Sequence, residues 1–208
     1  MKKIYLSAYY CMNFGDDLFV KTLIRRYPNT RFFINIDAKM RTAFRNEKNI
    51  SFSSHFAFFF ARVLCKLKII SRDDVEIFYV RRANAYVKIG GSIFIETPKA
   101  AKTFVEQYNR NAFFIGPNFG PYQSEAFVEQ VRRRLSNVKD CCFRDHYSYK
   151  IFRDLSNVRY APDVLFNVKT GLERKKGRYL GISVILLEKR EGLSEISDEY
   201  YRTISNAC

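Results

Sequence analysis

Arg144-Asp145, with Ser148 three residues further on, sets a permanent cation beside a carboxylate. A guanidinium is planar and always charged, so Arg144 can clasp a carboxylate or a phosphate, or hold an internal aspartate as an ion pair. Asp145 suits a helix N-cap. Four other short polar segments carry comparable potential. Asn13-Phe14-Gly15-Asp16-Asp17 joins a glycine turn to acids that can cap a helix, and the free N–H groups of that helix can also hold an anion. Gly90-Gly91-Ser92 lets a ligand or a neighbouring backbone come close. Gly116-Pro117-Asn118-Phe119-Gly120-Pro121-Tyr122 carries two Gly-Pro pairs and reads as a rigid, shaped wall. Asp163, after Pro162, can cap a turn or face a cleft. Of the two histidines, His146 follows Arg144-Asp145, whereas His55 opens a Phe-rich stretch and reads as structural. Metal-ligand spacing, a Walker loop and Gly-x-Gly-x-x-Gly are all missing from the sequence.

Each of these segments follows an apolar run of strand type. The runs are Ile4–Ala8, Phe32–Ile36, Ile50–Phe52, Ala85–Ile89, Ala112–Ile115, Val138–Phe143 and Val158–Tyr160. Helical patterns fall between them at Asp17–Arg26, Ser54–Leu67, Lys99–Tyr108 and Ser124–Leu135, with a short helix after Asp145. Strands alternating with helices predict an α/β fold, a Rossmann-like doubly wound and mostly parallel sheet. In such a sheet ligands gather at the carboxyl ends of the strands, where Asn13, Gly91, Gly116 and Arg144 are expected to share one edge.

Residues 1–168 read as this domain. A basic stretch from Lys169 to Arg178 reads as a linker, and residues 179–208 as the first strand (Tyr179–Leu187) and helix (from Ser197) of a second domain that stops short. Five cysteines, an odd number with no Cys-x-x-Cys pair, fit reduced thiols in a cytosolic protein. The N-terminal apolar run is too short for a signal peptide, and no segment suits a spanning helix. The formal net charge of +15 favours anionic partners without choosing among them. Nucleic acid is disfavoured, because no motif interleaves basic and stacking residues. The apolar helix around Phe56–Ile70, carrying Arg62, Lys66 and Lys68, has two readings: packed on the sheet with its aromatics in the core, or lying on an anionic membrane surface at the cytoplasmic face.

Taken in order, Asn13-Phe14-Gly15-Asp16, Gly90-Gly91, Gly116-Pro117 with Gly120-Pro121, Arg144-Asp145-x-x-Ser148, Ala161-Pro162-Asp163 and Gly181-Ile182-Ser183 resemble the polysaccharide pyruvyl transferase family. The resemblance runs from about Ile4 to Val184. It implies the first half of a GT-B-like two-domain fold, with the active cleft between the domains. It implies a bacterial enzyme of exopolysaccharide, capsule or cell-wall synthesis that uses no cofactor. The donor would be phosphoenolpyruvate, and the acceptor a polysaccharide or lipid-linked oligosaccharide that receives pyruvate as a ketal. Substrate-binding candidates are then Asn13, Gly15, Asp16, Gly90, Gly91, Gly116, Pro117, Gly120, Arg144, Ser148 and Asp163. Asp16, Arg144 and Asp145 are the catalytic candidates, with the general acid and base unassigned. The chain departs from the pattern at Ser92, where the family has a third glycine. The resemblance places most donor-binding residues in the second domain, so residues 1–208 alone are expected to be inactive. A GT-B glycosyltransferase and a non-catalytic remnant are the alternatives.

Overall fold

The computed structural model describes residues 3–11, 13–96, 104–168 and 194–207, with residues 171, 177, 184 and 187. The chain divides into two compact units, residues 1–169 and 170–208.

The first unit is built on a seven-stranded sheet. Its strands are β1 (Lys3–Ser7), β2 (Arg31–Ile34), β3 (Ile50–Phe52), β4 (Ala85–Ile89), β6 (Ala112–Ile115), β8 (Asp140–Phe143) and β9 (Val158–Tyr160). They lie in the order β3-β2-β1-β4-β6-β8-β9, and every neighbouring pair is parallel. This is a doubly wound sheet, in which the winding reverses between β1 and β4. Two short strands that the sequence pattern did not separate from loops, β5 (Ser92–Phe94) and β7 (Asn118–Phe119), pair in parallel as a second ribbon.

Both faces of the sheet are apolar, so adjacent residues of one strand serve different cores. Tyr5, Phe33, Tyr86 and Phe114 enter one core with Phe127, Val131 and Leu135. Leu6, Phe32, Ile34 and Val87 enter the other with Val20, Leu23 and Ile24. Helix α1 (Phe14–Arg26) supplies the second core, and α5 (Glu125–Ser136) the first. Cys141 and Cys142, successive in β8, are both buried and both free, and burial pushes both thiols up.

Between β3 and β4 lie α3 (His55–Lys66) and α4 (Arg72–Arg82). The start of α3 matches expectation: Ser54 is its N-cap and accepts from Ala57 N–H at 3.1 Å. Its packing does not. No residue of α3 is buried, and Phe56, Phe59 and Phe60 face solvent, so the reading that put its aromatics in the core is corrected. Helix α4 was not expected at all. Its signature was nonetheless present as Ser71-x-x-Asp74, which forms a capping box. Of the helix predicted over Lys99–Tyr108, residues 99–103 lie outside the described ones, and Val105–Tyr108 is a 3-10 turn. There Glu106 is buried against Arg134 of α5 at 2.6 Å.

The amino edge of the sheet is closed by three asparagines. Asn49 Nδ2 donates to the carbonyls of Ile24, Tyr27 and Thr30, gripping the end of α1. Asn109 does the same for Val80 and Ala83 at the end of α4, and Asn157 for Leu135 and Val138 after α5. Each asparagine therefore brings a side-chain donor to carbonyls at or just beyond a helix terminus, where the helix itself supplies fewest.

In the second unit a 3-10 turn, Ser194–Ile196, leads into the helix Ser197–Ala207, and Leu187 N–H donates to the Tyr201 hydroxyl at 3.1 Å. All but residues 184 and 187 of the strand expected over Tyr179–Leu187, and most of the basic stretch before it, lie outside the described residues.

Asn157→Ala removes two side-chain hydrogen bonds, to the carbonyls of Leu135 and Val138. It is expected to lower unfolding free energy by about 2 kcal/mol, measured as a shifted urea midpoint at unchanged slope.

Candidate functional site

The loops named above leave the carboxyl ends of β1, β4, β6 and β8, so they share one edge of the sheet. After β1, Asn13 takes extended backbone angles and its Oδ1 accepts from Gly15 N–H at 3.0 Å. Asn13 is thus the cap of α1. Asp16 and Asp17, expected as caps, lie inside the first turn because the helix already begins at Phe14.

After β4, Gly90 has φ +146° and its N–H donates to Ile115 O. Gly91 O then accepts from the N–H groups of Ile93 and Asn118, both at 2.8 Å, and so founds the β5–β7 ribbon. After β6, Gly116 has φ +70°, a left-handed geometry that disfavours any side chain. Pro117 O accepts from Arg144 N–H at 3.2 Å. Gly120, at φ +102°, donates to Phe94 O and precedes a cis Pro121.

Arg144 lies across this framework. Its Nη1 pairs with Asp163 Oδ2 at 3.0 Å, and its Nη2 donates to Asn118 Oδ1 at 3.2 Å. The guanidinium lies against Gly91. A Cβ placed there would stand 2.7 Å from Cζ, so a larger residue would push the end of the arginine aside. The second glycine of the pair therefore leaves room for the arginine in this position. Arg144 does form an internal Arg–Asp pair, with Asp163 rather than with its neighbour in sequence. Asp163 also caps the turn Val164–Asn167 through Leu165 N–H, 2.9 Å from Oδ1.

Asp145 and Ser148 are occupied elsewhere. Asp145 is the N-cap of α6 (His146–Phe152), and its Oδ1 accepts from Ser148 N–H at 2.7 Å. Its Oδ2 accepts from Ser148 Oγ at 2.8 Å. That hydroxyl, fully buried, in turn accepts from Phe119 N–H at 2.7 Å. The pair fastens the β7 loop to α6. His146 is exposed and stacks on Tyr160, with ring centroids 3.9 Å apart.

Asp16 is half-buried in the first turn of α1. Burial pushes its carboxyl above the usual aspartate range, and the positive charge of Arg144 opposes that rise. These two residues, from loops on either side of the winding reversal, feel one another electrostatically.

A cavity of about 1320 Å³ opens at the ends of β1 and β2, walled by α3 and α4. Ser7, Tyr10, Asn35, Asp37, Arg62 and Glu76 give it a polar lining. Asn35 Oδ1 is buried there without a hydrogen-bond partner among the described residues. The sequence reading passed over this cavity and over Asn118. The available signal was positional: Asn35 and Asp37 follow β2, and Asn118 follows β6, all at the ligand-binding edge. Among the described residues no group of His, Cys, Asp and Glu is placed to hold a metal.

A family model described as polysaccharide pyruvyl transferase matches residues 13–207. The chain belongs to that family. The match begins at the cap of α1 and takes in every loop of this family site. No curated protein and no solved structure matched the chain.

Two outcomes are expected here. Gly91→Ala should dislodge the Arg144 guanidinium and lower unfolding free energy by about 1–3 kcal/mol, read from a denaturant midpoint. Arg144→Gln should raise the Asp16 pKa further, read from its carboxyl carbon in an NMR titration. The sign of the linked stability follows from the raised value. Folding favours the protonated form of Asp16, so that contribution is full below the ordinary aspartate pKa of about 3.9 and is lost as pH rises through the folded value. Asp16→Asn should therefore gain stability relative to the parent near neutral pH, and gain nothing below that ordinary value.

Proposed function

We propose that the chain takes part in transfer of a pyruvyl group from phosphoenolpyruvate to two hydroxyls of a cell-surface polysaccharide or its lipid-linked precursor. The single observation that carries this reading is the Arg144 guanidinium, held at the ligand-binding edge of a family member by Asp163 and Asn118 and seated on Gly91.

The donor carries a carboxylate and a phosphate, and both call for cations. A guanidinium has five N–H donors, and the Asp163 and Asn118 bonds use two of them. Arg144 is also partly exposed, with 31% of its side chain open to solvent. It would hold one anionic group of the donor in a fixed orientation, because its own position is set from three sides. The N-terminus of α1 offers a second anion-attracting element on the same edge.

In the transfer, the methylene carbon of the donor gains a proton and its C2 becomes electrophilic. One sugar hydroxyl bonds to C2 and loses its proton. Phosphate then departs from C2, and the second hydroxyl closes the ketal and gives up its proton. Atoms balance as donor plus diol giving ketal plus inorganic phosphate. Of the acidic candidates, Asp16 best suits the proton traffic. Its carboxyl is shifted toward the neutral form, while both oxygens of Asp145 are engaged in capping α6. The cavity beside α3 has room for an acceptor sugar, with Asn35 Oδ1 waiting for a donor such as a hydroxyl.

In cells that make the polysaccharide, replacing Arg144 by Gln is expected to lower its pyruvate-ketal content at least tenfold at unchanged protein level. Proton NMR of the purified polymer measures this. Unchanged ketal content would overturn the assignment of Arg144 to the donor.

A further inference from the structure

Helix α3 presents two faces of different character. Phe58, Ala61 and Cys65 look into the cavity, three to four residues apart as one helical face requires. The opposite face carries Phe56, Phe60 and Leu67, spaced i, i+4 and i+11 and so stacked along one line of the helix. All three are out in solvent, at 79%, 54% and 63% exposure. The rings of Phe56 and Phe60 lie nearly parallel, 6.4 Å between centroids, and form one apolar plate. Phe59, which also borders the cavity as Lys66 does, and Ile69 are exposed as well.

The helix end keeps the strip in place. Ile69 N–H donates to Leu64 O at 3.0 Å, and Lys68 N–H to Cys65 O at 3.1 Å. Lys68 adopts φ 59° to make this turn, the left-handed stop usually given to glycine. The turn brings an exposed lysine and an exposed isoleucine to the end of the plate.

Along the chain, the charges carried by α3 and the turn after it are of one sign. From Lys48 to Arg72 the sequence holds no Asp or Glu, while Arg62, Lys66, Lys68 and Arg72 are all exposed. Only Arg62 has a carboxylate partner in the described residues, Asp37 at 2.9 Å. A second copy of the chain is a poor occupant for this face, since its own α3 would bring the same cations with no acid to meet them. The helix is also short. Twelve residues span about 18 Å at a diameter of about 10 Å, so one face offers on the order of 200 Å², far less than the roughly 800 Å² per partner of a stable protein interface. An anionic bilayer supplies what the face lacks: a hydrocarbon boundary for the aromatics and negative headgroups for the cations.

We propose that α3 docks the protein on an anionic membrane surface, lying in the interface with Phe56, Phe60 and Leu67 inserted and Lys66 and Lys68 among the headgroups. No described helix is long and apolar enough to cross a bilayer, so contact is peripheral. Because the inner face of α3 walls the cavity, docking brings that cavity close to the lipid surface.

Co-sedimentation of the full chain with vesicles tests this directly. Binding is expected to mixed phosphatidylglycerol–phosphatidylcholine vesicles, weakened by salt, and not to phosphatidylcholine alone. Phe56→Ser with Phe60→Ser should weaken binding at least tenfold, and Lys66→Glu with Lys68→Glu more than fivefold, since each cation near the surface is worth roughly a factor of five. All four positions are exposed, so the variants should keep the parent circular dichroism and melting temperature. Phe166→Ser, at an exposed phenylalanine elsewhere in the first unit, should bind as the parent does. Failure to bind anionic vesicles would overturn the proposal, as would equal loss in Phe166→Ser. So would self-association that disappears with Phe56 and Phe60, which would assign the plate to a second copy.

Discussion

A guanidinium pressed against a glycine is the contact on which the ligand edge depends. Arg144 comes from the end of β8, Gly91 from the end of β4, Asn118 from the loop after β6, and Asp163 from the end of β9. One side chain thus ties four strand ends together. None of them is a neighbour of another in sequence. Isolated surface ion pairs contribute little, but this one is held by a partly buried fork with defined partners on two nitrogens. Its role is to fix loop positions relative to each other at the carboxyl edge of the sheet.

The Asp145–Ser148 pair does a different job with similar residues. It looks reactive in sequence, an acid and a hydroxyl three residues apart. In the fold its hydrogen bonds run inward, to the first turn of α6 and to Phe119 N–H. The two sets of contacts divide the work: Asp145 and Ser148 hold the β7 loop on the helix, and Arg144 projects from the base that results. Sequence spacing alone does not separate a cap from a reactive acid, because both use a short polar side chain just before a helix.

The parallel sheet was legible because its strands are largely buried on both sides and therefore read as mostly apolar runs, two of them ended by glycine. Every one of the seven runs became a strand, within a few residues. What escaped was the part set by tertiary contact. The β5–β7 ribbon is only two or three residues deep and exists because Gly91 O accepts from Asn118 and Ile93. Helix α4 was missed because its exposed side is charged and only Val80 is fully buried, which leaves a faint periodicity. Helix α3 was found but placed wrongly in one reading, since an apolar helical face does not say whether another element covers it. In the site, Arg144 and Asp163 were visible as chemistry. That they meet over Gly91, with Asn118 as a third party, depends on strand order, which no local pattern carries.

The three asparagines at the amino edge have a consequence for how this scaffold can change. Asn49, Asn109 and Asn157 lash the ends of α1, α4 and α5 to the sheet, each spanning 19 to 29 residues of chain to at least one of its carbonyl partners. They do so at the edge opposite the ligand loops. Helix ends fastened there do not rely on the carboxyl-edge loops for their attachment. Those loops are accordingly free to lengthen, shorten or exchange side chains without unravelling the helices beside them. Recognition can drift on one side of the sheet while the anchorage on the other stays put.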